Sequence, residues 1–363
     1  MNLDLDPTQE LLRDTVREFL RSEVPLDRIR LLEREQRWDE TLWKALCDQG
    51  WLGLPFAEAR GGGGGSLVDV GVLVEEFARR AAIVPLVEAL ACGIALERHA
   101  PGARTDALVS GMLAGSFVPV PAVLEADDTF ARISLALDGG RLSGEKRFVD
   151  YGQFASHHLV VVRDGNESAL CLVDARAAEV VARPLRTIGR TPSAVVRYDA
   201  ANAERVAGPD AAAALLQIGR ALAAVQCVGS AGQALDLTVA YASVREAFGR
   251  PIGSFQAVKH HAANMAIKVA ASRQLAFEAL DALDRGCASA AQVATAKASA
   301  SRMVPEVTML AHQIHGGNGI IEENDLYFFT LRGKDRSLAW GSVDECLAEL
   351  AASVDAPIDW LVG

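Results

Sequence analysis

Apolar positions recur with a helical period through the first third of the chain. Leu12, Val16, Phe19 and Leu20 mark one face of a helix that opens at Asp6-Pro7-Thr8-Gln9: an N-cap, a proline at the first helical position and a capping-box glutamine. A second helix opens at Asp39, carries Leu42, Trp43 and Leu46, and stops at Gly50. Residues 61–65 are five consecutive glycines. They read as a flexible connecting loop, because no strand precedes them and no Lys-Ser/Thr follows to make a phosphate cradle. Two apolar helices follow, over about 67–82 and 84–98.

From about 117 the period shortens to two. Ile133, Leu135 and Leu137 alternate with polar neighbours and run into the turn Asp138-Gly139-Gly140. Residues 159–162 and 170–173 flank a hairpin turn at Asp164-Gly165-Asn166, and Val195-Val196 lies in the last strand region, which ends near 208. After Pro209 the helical period returns, with long helices over about 211–248, 254–284 and 289–314 and a fourth from about 335 onward. Helices of this length joined by short turns read as an antiparallel four-helix bundle. The pattern predicts a mostly α, α+β multidomain chain, with an N-terminal α-helical domain over 1–116, a middle antiparallel β domain over 117–208 and a C-terminal bundle over 209–363.

Composition narrows the partners. Half of the 363 residues are hydrophobic, enough for a large core, and the net charge of -11 argues against nucleic acid or an anionic membrane as partner. No apolar run approaches the roughly 20 residues of a membrane span, and the acidic start at Asp4 and Asp6 is unlike a signal peptide. The six cysteines are scattered without a Cys-x-x-Cys pair, which fits a reducing compartment, most simply the cytoplasm. His157-His158 and His260-His261 are adjacent pairs whose side chains do not share a face, so no metal site is expected.

Two stretches carry candidate chemistry. The first is Arg245-Glu246-Ala247-Phe248-Gly249-Arg250-Pro251-Ile252-Gly253-Ser254-Phe255-Gln256, at the end of a long helix that Gly249 and Pro251 are expected to stop. Arg245 brings a fixed charge and a fork of donors suited to a pyrophosphate, Phe248 and Phe255 offer flat apolar faces for an adenine, and Gln256 donates and accepts. Alone, this stretch also reads as an ordinary helix stop with a solvated arginine. The second stretch is Gln313-Ile314-His315-Gly316-Gly317-Asn318-Gly319, whose glycines leave the backbone amides open to a bulky ligand.

In their order and spacing on helical flanks, the two stretches resemble the flavin-binding signatures of the acyl-CoA dehydrogenase family. The order of helices, β domain and bundle resembles that family from end to end. The resemblance implies FAD gripped by Arg245, Phe248, Ile252, Phe255 and Gln256 of one subunit and Gln313, Gly316 and Gly317 of its neighbour. It further implies flavin contacts from Phe148, Ser342 and Asp344, and a substrate-side arginine at Arg220. It also implies an acyl-CoA thioester substrate, oxidised between C2 and C3 by a glutamate base and hydride transfer to the flavin, and electron-transfer flavoprotein as acceptor. Assembly is expected as a homo-oligomer, or as a hetero-oligomer with a sister dehydrogenase subunit.

The chain departs from the family where the base belongs. One family position for the glutamate falls on Trp340, within Ala339-Trp340-Gly341-Ser342, and the other on Gly219. Three readings stay open: another carboxylate acts, with Glu322, Glu323 and Asp335 nearest in sequence; the reaction differs, as in an oxidase or monooxygenase on the same scaffold; or a sister subunit brings the glutamate. The β domain departs too. The family's Thr-Glu-Pro stretch is matched only by residues 124–128, and its flavin-stacking Trp-Ile-Thr by Phe148-Val149-Asp150, where Asp150 is expected to repel a reduced flavin.

Overall fold

The computed structural model describes residues 4–127, 129–130 and 132–353. Six helices come first: α1 (Pro7–Glu23), α2 (Leu26–Glu35), α3 (Glu40–Asp48), α4 (Leu67–Arg79), α5 (Leu86–His99) and α6 (Ala103–Leu113). Asp6 and Gln9 form the predicted capping box of α1, and Ser66 with Asp69 forms another on α4. The periodicity did not reveal α2, which buries Ile29 and Glu33, or α6, which buries Thr105, Leu108, Val109 and Met112. The glycine run is not a floppy connector. The amides of Gly63, Gly64 and Gly65 donate to the carbonyls of Gly53, Phe56 and Leu54 at 2.8–2.9 Å, and a Cβ on Gly62 would stand 2.1 Å from the Phe56 carbonyl oxygen. Close backbone approach, rather than freedom, requires glycine there.

The middle region holds β1 (Pro119–Ala122), β2 (Leu137–Asp138), β3 (Arg141–Asp150), β4 (His157–Asp164), β5 (Glu167–Asp174), β6 (Val180–Leu185), β7 (Ser193–Asn202) and β8 (Glu204–Ala207). They form two four-stranded sheets, ordered β1-β4-β5-β8 and β2-β3-β7-β6. The sheets are not wholly antiparallel as expected, because β1 pairs with β4 in parallel. The alternating residues 133–135 are not a strand either. The amides of Ser134 and Leu135 donate at 3.0 Å to the Glu125 carboxylate, which is itself paired with buried Lys146 at 2.7 Å. A side chain thus takes the donors that a strand partner would have used.

The rest is helical: α7 (Pro209–Val244), a two-stranded hairpin β9 (Glu246–Ala247) and β10 (Arg250–Pro251), α8 (Gln256–Asp284), α9 (Ala290–His315), α10 (Leu326–Leu338) and α11 (Val343–Ala352). The long helix stops at Val244, four residues before the predicted end. Its fourth neighbour begins at Leu326 rather than near 335, and it breaks where Trp340 and Gly341 take φ values of +61° and +119°. By length and composition α7 passes the test for a membrane span, contrary to expectation, yet 72% of its most apolar window is buried within the protein. Alanine and glycine make it apolar and slim enough for neighbours to pack on most sides. A Cβ on Gly229 would lie 2.5 Å from the Glu75 carbonyl of α4, and one on Gly333 of α10 would lie 2.6 Å from Val304 of α9.

Candidate functional site

The end of the bundle is built by the first stretch. Arg245 ends α7 with its amide on the Tyr241 carbonyl at 2.8 Å, and the Ile252 amide returns to the Arg245 carbonyl at 2.7 Å. Between them Phe248 and Gly249, at φ +54° and +76°, make the tight turn of β9 and β10. Two successive left-handed residues match the twist of such a hairpin, and this turn, not a helix stop, is what Gly249 serves. Phe248 is 95% exposed and meets Phe255 edge-on at 6.2 Å. The Arg250 guanidinium lies 4.3 Å from the Phe255 ring, so Phe255 already has one face covered. Arg245 and Gln256 are exposed and Ile252 half-buried.

The second stretch ends α9. Gln313, Gly316 and Gly317 are exposed, and nothing stands within 4 Å of where a Cβ on either glycine would be. His315 is buried, and its ring stacks on Tyr241 at 4.3 Å with the planes 12° apart. Burial, with a smaller contribution from His312, pulls its imidazole below the usual range. Because Tyr241 lies one turn before Arg245, this stack joins the two stretches at one end of one chain. Within one chain the stretch expected from one subunit and the stretch expected from its neighbour therefore lie side by side.

A separate cleft of about 560 Å³ lies between the sheets and α10–α11. Pro121, Leu124, Phe130, Ile188 and Leu338 give it apolar walls. Of the residues singled out from sequence, Phe148, Asp150, Asp335, Trp340 and Ser342 line it, and none of residues 245–256 or 313–317 does. Phe148 sits at φ +50° in a register shift between Lys146 and Val149; the bulge turns it outward while Val149 is buried. Ser342 spends its hydroxyl capping α11 through the Glu345 amide, and Asp344 is exposed and off the cleft. Leu124 alone of 124–128 lines it; Asp128 lies outside the described residues. Residues 186–188, Glu88 and Arg336 also line it and were missed, since three distant parts of the chain supply them and none carries a motif.

The two empty base positions turn out to be one steric unit. A Cβ on Gly219 would stand 2.3 Å from the Trp340 indole, so the ring occupies the space that a side chain at 219 would need. Trp340 is held in its left-handed conformation by its own carbonyl, which accepts from Arg220 Nε at 2.9 Å. Arg220 is also paired with Glu349. Fully buried Lys297 donates to the carbonyls of Ser337 and Gly341 on either side of the turn, at 2.9 and 3.0 Å. Among the other carboxylates considered, Glu322 pairs with Arg190 at 2.7 Å on the surface and Glu323 is exposed, so both are off the cleft.

The cleft floor is ionic. Arg336 donates to Asp150 at 2.6 Å, to Asp335, and more loosely to Glu88 at 3.3 Å. Asp150 is therefore paired, not a bare repelling charge. Burial pushes the Glu88 carboxyl up to about 7, with Arg336 opposing and Asp150 adding to the rise. Burial works against the charge of Arg336, yet the acids around it hold its pKa well above the usual range. No cluster of three or more metal-ligating side chains occurs among the described residues. His158 is a core residue, bonded to the Gly152 carbonyl and the Tyr198 hydroxyl, and burial lowers it to about 4.

Residues 6–116 match the acyl-CoA dehydrogenase N-terminal domain and 207–335 the acyl-CoA dehydrogenase C-terminal domain. The chain is 30% identical to acyl-CoA dehydrogenase IpdE2 of Mycolicibacterium smegmatis, over 95% of this chain and 98% of the relative. It superposes on a Tcur3481-Tcur3483 steroid ACAD variant with a TM-score of 0.90 at 31% identity, covering 95% and 97% of the two chains. On the ChsE4-ChsE5 complex from Mycobacterium tuberculosis the TM-score is 0.91 at 26% identity, covering 98% of this chain and 100% of the other. Matched at both helical ends and in fold along nearly all of its described length, the chain belongs to the acyl-CoA dehydrogenase family.

Proposed function

We propose that this protein is a subunit of an FAD-dependent enzyme that dehydrogenates an acyl-CoA thioester between C2 and C3, working as an oligomer in which each chain completes the cofactor site of another. One observation carries the reading: residues 245–256 and 313–317 share one end of the bundle, and none of them lines the chain's own cleft. A dinucleotide gripped by both surfaces spans two chains. The residues fit FAD on two counts. Gly316 and Gly317 leave open space at the backbone, and Thr187 Oγ1, on the cleft, is buried without a protein partner among the described residues. Bound there, FAD supplies the two-electron oxidising group. Arg245 neutralises pyrophosphate charge, with Gln256 and Gln313 bonding beside it. Phe248 and Ile252 cover an adenine face, Phe148 packs on the flavin, and the apolar walls keep water from the thioester.

We take 1–116, 117–208 and 209–363 as the three units of the chain. Electron-transfer flavoprotein is the proposed acceptor and the cytoplasm the proposed compartment. The six cysteines, all without disulfides, support that compartment. A mixed assembly with a sister subunit is a second reading, favoured by the Trp340–Gly219 contact that leaves neither family position a carboxylate.

The test is anaerobic titration of the purified yellow protein with a panel of straight-chain and alicyclic acyl-CoA thioesters. Bleaching of the flavin by a member of the panel supports a self-sufficient enzyme. Bleaching only after a sister chain is added supports the mixed assembly. A protein that neither binds FAD nor bleaches in any mixture overturns both.

A further inference from the structure

The carboxylate that both family positions lack has a substitute on the cleft floor. Glu88 of α5 is 3% exposed and lines the cleft, and it also lines a second cavity of about 50 Å³ behind it. Asp335 and Arg336 border both spaces. The smaller cavity is walled by Thr191, Gln226, Ser230 and Arg332 as well, and Thr191 Oγ1 and Gln226 Oε1 are buried without a hydrogen-bond partner among the described residues. A water needs roughly 10–15 Å³ of such space and two to four polar partners. This cavity has the room and the partners.

We propose that Glu88 is the proton-accepting residue of the cleft, exchanging that proton with water in the cavity behind it. The inference rests on the dehydrogenation reading above. In the step, the C2–H bond breaks and its proton forms an O–H bond on Glu88. The electron pair left on C2 becomes the C2–C3 double bond as the C3 hydrogen departs with its pair to the bound flavin. Glu88 then loses the proton to cavity water and is ready again.

Glu88 suits the role better than its neighbours. Arg336 and Asp335 face it from α10, Asp150 and Tyr151 from β3 and the turn after it, and Cys92 from its own helix. Arg336 is committed to Asp150 and Asp335 at short range, so either aspartate would have to break a short charge-assisted bond to take a proton. Arg336 reaches Glu88 only at a long 3.3 Å. Burial lifts its pKa to about 7, where a base combines readiness with driving force.

The experiment compares wild type with Glu88→Gln and Glu88→Asp as the FAD-loaded assembly. It measures flavin bleaching by the acyl-CoA panel, deuterium wash-in at C2 of the thioester in D₂O, and carboxyl titration by ¹³C NMR of glutamate-labelled protein. Glu88→Gln should slow bleaching and wash-in together by about 100-fold or more, the usual worth of a general base, with FAD occupancy kept. It should also remove one carboxyl that titrates near neutral pH. Glu88→Asp should recover part of the rate. Bleaching of Glu88→Gln at the wild-type rate overturns the role of Glu88 and leaves the dehydrogenation reading standing. So does the absence of any carboxyl titrating near neutrality. Wild type that no thioester bleaches, alone or mixed with a sister chain, overturns both.

Discussion

Gly219 and Trp340 cannot be changed independently. Placing a methyl at 219 drives it to 2.3 Å from the indole, and overpacking of that kind costs about 1–3 kcal/mol. The roughly 1 kcal/mol that alanine gains over glycine inside a helix offsets only part of this. Gly219→Ala should therefore destabilise the protein. In a Trp340→Ala background the same change should stabilise it, because the methyl enters the space the indole left. Urea unfolding of the four proteins checks the change of sign. The pair was half legible: the sequence marks both positions as lacking glutamate, but 120 residues of chain lie between them and nothing in spacing reveals that they touch.

Glu88 carries a consequence for pH. Its folded pKa stands at about 7, above the ordinary carboxylate range, so the folded protein keeps a proton that the unfolded chain has lost. That contribution is fully present below the ordinary range and is lost as pH rises through about 7. Denaturation midpoints should fall between roughly pH 5 and pH 8 in wild type, and that fall should flatten in Glu88→Gln. No motif announces Glu88. A lone glutamate in an apolar helix becomes visible only when three other elements close around it.

At the scale of elements, what could be read depended on whether a segment's own residues settle its shape. Capping boxes did, and α1 and α9 start as their side chains dictate. Long-range competition did not: Glu125 strips the ladder donors from residues 134–135, and Trp340 ends α10 with a strained turn. The hairpin after α7 was mistaken for a helix stop because both use glycine with positive φ. Helix crossings are equally silent in sequence. At Gly229 the backbone of α4 passes so close that a Cβ would meet the Glu75 carbonyl at 2.5 Å, a contact that backbone, unlike a side chain, does not relieve by rotating. Gly229→Val should part α4 from α7 and lower thermal stability by about 1–3 kcal/mol or more. A surface change such as Lys44→Ala should stay within roughly 0.5 kcal/mol.

For the whole molecule, the order of helices, sheets and bundle followed from periodicity and is matched by the fold of its relatives. The division of the cofactor surface did not follow from periodicity, because it depends on where α7 and α9 end relative to each other. The Tyr241–His315 stack sets that placement: the arginine corner and the triple-glycine bend lie together, and neither lines the chain's own cleft. Arg245→Ala should leave the isolated chain's melting temperature unchanged while weakening FAD retention by about tenfold or more, the loss of a charge-assisted contact. Dialysis followed by flavin absorbance measures it.

The proposed sharing also predicts who suffers from such a lesion. On the proposed two-chain grip, a polypeptide carrying the broken corner should keep a sound cleft while its neighbour goes colourless. If the proposed two-chain grip holds, copies damaged at opposite ends should rescue each other when mixed, each mixed dimer regaining flavin at one of its two sites.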